Sequence, residues 1–69
     1  MELKAYSKSE LAWAYSPNLS NAGALYRLRE WIRVNKKLTA ALKKCGYTPT
    51  TRVFTVNQVK LIFEYLGEP

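Results

Sequence analysis

Residues 21–46 read NAGALYRLREWIRVNKKLTAALKKCG, and the spacing of their apolar side chains decides the fold class. Ala24, Leu25, Leu28, Trp31 and Ile32 make a broad apolar side for a helix over about Asn21 to Val34, with Ser20 or Asn21 able to cap it. Tyr26, Arg27, Glu30 and Arg33 lie away from that side, and Arg29 sits at its border. Leu38, Ala41, Leu42 and Cys45 then fall at i, i+3, i+4 and i+7, a stripe that predicts a second buried helix face. Asn35 between the two is a suitable N-cap, and Gly46 is a typical residue just past a helix end. Gly23 in the first turn is expected to weaken the earlier helix by up to about 1 kcal/mol relative to alanine.

The flanking segments extend the same architecture. Ser7-Lys8-Ser9-Glu10 has the form of a capping box and opens a helix through Leu11, Ala12 and Tyr15, which must end before Pro17. Residues 3–6 read as a short extended lead-in, and Ser16-Pro17-Asn18-Leu19-Ser20 is turn chemistry. Thr55-Val56-Asn57-Gln58 is a second capping box. Behind it Val59, Ile62, Phe63 and Leu66 form another apolar stripe that Gly67 closes. Tyr47 to Phe54, with Pro49 and three threonines in its middle, reads either as a short hairpin or as an ordered loop. The expectation is one mainly α domain over residues 1–69, a compact four-helix, helix-turn-helix-like unit with a short β-hairpin wing as one reading of 47–54.

Composition narrows the chemistry. The chain has no histidine, no aspartate and one cysteine. That removes His-based acid–base catalysis, Ser-His-Asp and Cys-His nucleophiles, clusters with zinc spacing, and any internal disulfide. Gly23, Gly46 and Gly67 stand apart, so no glycine-rich phosphate loop exists. No enzyme activity, cofactor, metal or small-molecule substrate is expected. Met1-Glu2-Leu3-Lys4 leads into polar sequence, and no apolar run reaches the length of a bilayer span, so the expectation is a cytoplasmic bacterial-style protein without a signal peptide or membrane partner. Cys45, on a core stripe, is expected to be buried filler.

Charge points to a partner. Eight of the eleven basic residues lie between Arg27 and Arg52, a window with a single acid, Glu30. Such asymmetry in a short chain implies a polyanion. Lys36, Lys37, Lys43 and Lys44 would share one face of the third helix, either as a solvated surface or as phosphate contacts that give affinity without sequence reading. Arg27, Arg29 and Arg33 carry the bidentate fork that grips phosphate or guanine, with ion pairing to Glu30 or Glu10 as their alternative role. Arg52 is a candidate phosphate clamp, or an ordinary exposed loop residue. Asn21-Ala22-Gly23-Ala24 offers no long polar side chain for base reading. Trp13, Leu61 and Tyr65 fall off their helices' main stripes. Either four short helices bury them from both sides, or they form a protein–protein patch for a partner or a second copy.

Tyr6-Ser7-Lys8-Ser9-Glu10-Leu11-Ala12, then Leu28-Arg29-Glu30-Trp31-Ile32, then Phe54-Thr55 with Gln58-Val59 and Ile62, resembles a family of short bacterial proteins classed only as a domain of unknown function. Leu38, Leu42, Gly46-Tyr47 and Leu66-Gly67-Glu68-Pro69 also fit that pattern. More distantly, the layout is similar to MerR-type and excisionase-type helix-turn-helix domains. That likeness implies core positions at Leu11 and Ala12, Arg27 and Arg29 on a recognition helix, and Gly46, Tyr47 and Arg52 in a wing. The leading expectation is a small DNA-binding regulator or mobile-element accessory factor. A protein–protein adaptor is the alternative, and RNA binding follows without an aromatic RNA-recognition signature.

Overall fold

A computed structural model describes residues 1–48 and 50–69, and its element order is β1 (Tyr6–Ser7), α1 (Lys8–Tyr15), α2 (Asn21–Val34), α3 (Lys36–Lys44), β2 (Val53–Phe54) and α4 (Val56–Leu66). Among the described residues the protein is mainly helical, with four helices and one small antiparallel sheet. Each helix begins where a side chain can satisfy orphan backbone donors. Ser7 Oγ accepts from the Glu10 N–H at 3.1 Å and Glu10 Oε1 accepts from the Ser7 N–H at 3.0 Å, closing the first capping box. Ser20 Oγ accepts from Gly23 at 3.2 Å. A Cβ on Gly23 would stand 3.2 Å from that oxygen, so the glycine's propensity cost leaves room for the cap.

Asn35 turns the chain between two helices. Its N–H reaches the Ile32 carbonyl while its Oδ1 accepts from the Leu38 N–H at 3.0 Å. The Thr39 hydroxyl donates to the same Ile32 carbonyl at 2.6 Å, fastening the corner. At the end of α3, Tyr47 N–H bonds to the Leu42 carbonyl and Gly46 N–H to that of Lys43, with Gly46 at φ +85°. This is a Schellman closure, and it fixes the direction in which Tyr47 leaves the helix.

The last capping box is also a tertiary joint. Gln58 Oε1 accepts from Thr55 N–H at 3.0 Å, while its Nε2 donates to the Cys45 carbonyl at 2.9 Å. This nearly buried amide therefore ties α4 to the end of α3. The Cys45 side chain, by contrast, is exposed, which corrects the expected buried filler. The reason is local: the helix stops at Lys44, and Cys45 has become its cap, with φ −94° and ψ 16°, so the i+7 position has left the stripe.

Among the described residues of 47–54 there is no pairing of one strand with another, as a hairpin would require. Val53–Phe54 instead pairs with Tyr6–Ser7, placing Phe54 opposite Tyr6 and Val53 opposite Ser7. Thr48 and Thr51 bridge the intervening turn, with the Thr51 N–H on the Thr48 carbonyl and the Thr48 N–H on Thr51 Oγ1, both at 3.0 Å. Pro49, which the sequence puts in the middle of that segment, lies outside the described residues. Phe54, Leu11, Leu38, Leu42, Ile62 and Val59 are the largest fully buried side chains, and α1 and α2 share the most extensive helix–helix interface. Among the described residues no helix is long and apolar enough to cross a membrane.

The Tyr15 hydroxyl donates to the Gly67 carbonyl and ties α1 to the end of α4. Burial, then the Glu68 carboxylate, push its pKa up to about 12. A folded value above the unfolded value of about 10 means that this contribution to stability is complete below pH ~10 and is lost as pH rises through ~12. In an alkaline titration followed by tyrosinate absorbance, Tyr15→Phe should remove the latest ionisation step and flatten the fall in stability across that window. An unchanged titration would show that Tyr15 is not the late group.

Candidate nucleic-acid interface

The strand pairing has an electrostatic consequence. Continuing past Ser7–Val53, the Lys8 N–H bonds to the Arg52 carbonyl at 2.9 Å, so the start of α1 lies beside the segment leading into β2. Arg29, from the middle of α2, completes one side of an open cavity of about 580 Å³. Its described lining residues are Lys8, Arg29 and Arg52, the hydroxyl residues Ser7, Ser9, Thr50 and Thr51, and apolar Leu25 and Val53. No carboxylate is among them. Burial, and then the charge of Arg29, lower the pKa of Lys8. The Lys8 ammonium lies 5.0 Å from the ring centroid of Tyr47 and 6.0 Å from that of Phe54, within cation–π range.

Arg29 also lines a second open cavity of similar size, between α2 and α3. Tyr26, Ile32, Thr39 and Tyr47 give it a largely apolar floor, with Glu30, Arg33 and Lys43 around it. Tyr47 is held in place by stacking on Phe54, with ring centroids 5.8 Å apart and planes at 19°. Burial raises the Tyr47 pKa, and Arg29 opposes that shift. Glu30 is the acid of this cavity, and its bonds are local. It accepts from Arg33 Nε and, at 3.2 Å, from the Tyr26 hydroxyl. The Arg33 hydrogen bond is the largest cause holding the Glu30 carboxyl below its ordinary pKa.

The sequence-selected cations therefore divide by geometry. Arg29, Arg33, Lys43 and Arg52 line the two cavities, which share Arg29. Lys36, Lys37 and Lys44 are exposed and line neither. Arg27 is two positions from Arg29, about 200° around the helix. Its guanidinium sits 5.9 Å from the Trp31 ring centroid instead. Arg33 takes the ion-pairing role with Glu30. Lys8 was absent from the basic window, because only the pairing of β1 with β2, between residues far apart in the chain, brings it beside Arg52.

The aromatic set is also resolved. Trp13 is 58% exposed and Tyr65 42% exposed, so the helices do not bury these two from both sides. Leu61 is half-buried and packs against the core. Trp31 is partly covered by an edge-on contact with Tyr15, ring centroids 5.8 Å apart.

In comparison with known proteins, the family model described as Domain of unknown function (DUF4248) matches residues 2–69. No curated protein and no solved structure matches the chain.

Proposed function

The chain belongs to the DUF4248 family, a domain of unknown function, and on the strength of its own surface we propose that it is a non-enzymatic nucleic-acid-binding protein acting on duplex DNA. The observation that carries this reading is the meeting of Lys8, Arg29, Arg52 and Lys43, from four separate segments, along two open cavities joined at Arg29. Cations gathered from distant positions make a directed positive surface, which is what a phosphate backbone selects. On this reading α1, the Ser16–Ser20 turn and α2 act as a helix-turn-helix-like pair in a bacterial cytoplasmic protein, a small transcription regulator or mobile-element accessory factor. Its contacts are mainly to phosphate, because the first turn of α2 carries no long polar side chain.

Titration of a fluorescent duplex at two salt concentrations tests this. Each phosphate neutralised adds about −0.9 to the log–log slope, so one in each cavity predicts a slope near −1.8, and a fourfold rise in salt then weakens binding by about 12-fold. No binding at low salt overturns the proposal. A second reading rests on Trp13, whose exposure suits a protein-interaction surface. In that case the protein is an adaptor and the lysines of α3 only keep it soluble.

A further inference from the structure

We infer that the cavity between the start of α1, the middle of α2 and residues 50–53 is a discrete phosphate site, holding one phosphate group between Lys8, Arg29 and Arg52. It rests on the nucleic-acid reading only in taking a backbone phosphodiester as the source of that group. Three features give the ligand class. Three cationic side chains from separate segments line one cavity, and no carboxylate is among its described lining residues. Arginine presents a planar fork suited to two phosphate oxygens, and lysine adds a point charge. Ser9, Thr50 and Thr51 add hydroxyls to the lining. Thr50 and Thr51 both bond to the Thr48 hydroxyl, which can donate to only one of them, so Ser9 and at most one of the two threonines donate to the remaining oxygens.

The side chains, not the helix dipole, define the site. Glu10 closes the α1 capping box and places its own carboxylate on the Ser7 N–H, so the helix end is already served by an internal anion. The fold also brings Lys8 and Arg29 close enough to repel each other, at a site where the β1–β2 pairing fixes the backbone of Lys8 against that of Arg52. A bound oxyanion relieves that repulsion, and a phosphate matches the mixture of charge and hydroxyl donors better than chloride does. Leu25 and Val53 form the apolar wall beside the donors.

Nuclear magnetic resonance titration of the full chain with inorganic phosphate tests the site, with sodium chloride at matched ionic strength as the reference. Phosphate is expected to produce saturable shifts at Lys8, Ser9, Thr51, Arg52 and the Arg29 side chain, beyond those of chloride. Arg52→Gln, which keeps the backbone bond to Lys8, should weaken phosphate about tenfold, the effect of one charge-assisted hydrogen bond. Shifts no larger than those of chloride, or shifts centred on Lys36, Lys37 and Lys44, overturn the site whether or not duplex DNA binds. A parallel titration with a short duplex identifies the source. If the duplex moves the same signals, the phosphate is that of a nucleic-acid backbone. If phosphate binds and the duplex does not, the site stands with a free phosphate-bearing molecule as its ligand, and the DNA reading falls.

Discussion

Phe54→Ala is expected to destabilise the protein by about 3–5 kcal/mol and to leave a large fraction of it unfolded at room temperature. A chain of this length has a total stability of about 3.5–10 kcal/mol, so one large core truncation removes much of it. Phe54 is fully buried, and three neighbours depend on it. Tyr6 pairs with it across the sheet, Tyr47 stacks on its ring, and the Lys8 ammonium lies over the same ring. Losing the ring removes core volume and also the platform that positions Tyr47 and Lys8 at the two cavities. Val53→Ala is the control, since Val53 occupies the same strand but is 53% exposed and should change stability by less than about 0.5 kcal/mol. Urea unfolding followed by circular dichroism measures both. If the two variants unfold at the same midpoint, β2 does not anchor the core.

The contrast between Phe54 and its surroundings also explains what was legible in the sequence. Helix boundaries were readable because their determinants are local. Ser7 with Glu10, Thr55 with Gln58, Asn35 with Leu38, and Gly46 each satisfy backbone groups within a few residues, so their spacing alone places the ends of the helices. The sheet was not readable in this way. Tyr6–Ser7 and Val53–Phe54 are two residues each, too short for an alternating pattern, and their pairing joins distant parts of the chain. An interior hairpin was the nearest local solution, and the tertiary one took its place. Cys45 marks the same boundary between local and tertiary reading: the apolar stripe continued past the residue where the helix stops.

The candidate site divides along the same line. Counting charges found Arg29, Arg33, Lys43 and Arg52, because all belong to the basic window. It also gathered Arg27, which helix geometry sends toward Trp31. It omitted Lys8, which was visible only as an interior residue of a capping box. A surface charge counts toward a site through the direction of its side chain, and direction depends on helix phase and on long-range pairing.

Replacing Lys8, Arg29, Lys43 and Arg52 together by glutamine should lower duplex affinity about a thousandfold, whereas replacing Lys36, Lys37 and Lys44 together should lower it less than about tenfold. The first estimate takes each solvent-exposed contact at about 1 kcal/mol, the central value for a protein hydrogen bond, so four amount to about three decades. The second follows because cations away from the bound backbone act only through a field that salt screens over about 10 Å. The two variants lose four and three positive charges, so net charge alone would make them nearly equal. A large difference between them therefore isolates position as the cause. The salt dependence gives a second, independent reading. The quadruple variant should have a nearly flat log–log plot, while the triple variant keeps the wild-type slope at a slightly lower affinity. All four replaced side chains lie at the surface or over a ring rather than in the apolar core, and circular dichroism would check that the fold is kept. Equal losses in the two variants would mean that the protein binds DNA as a diffuse polycation, and the two cavities would then have no special part in it.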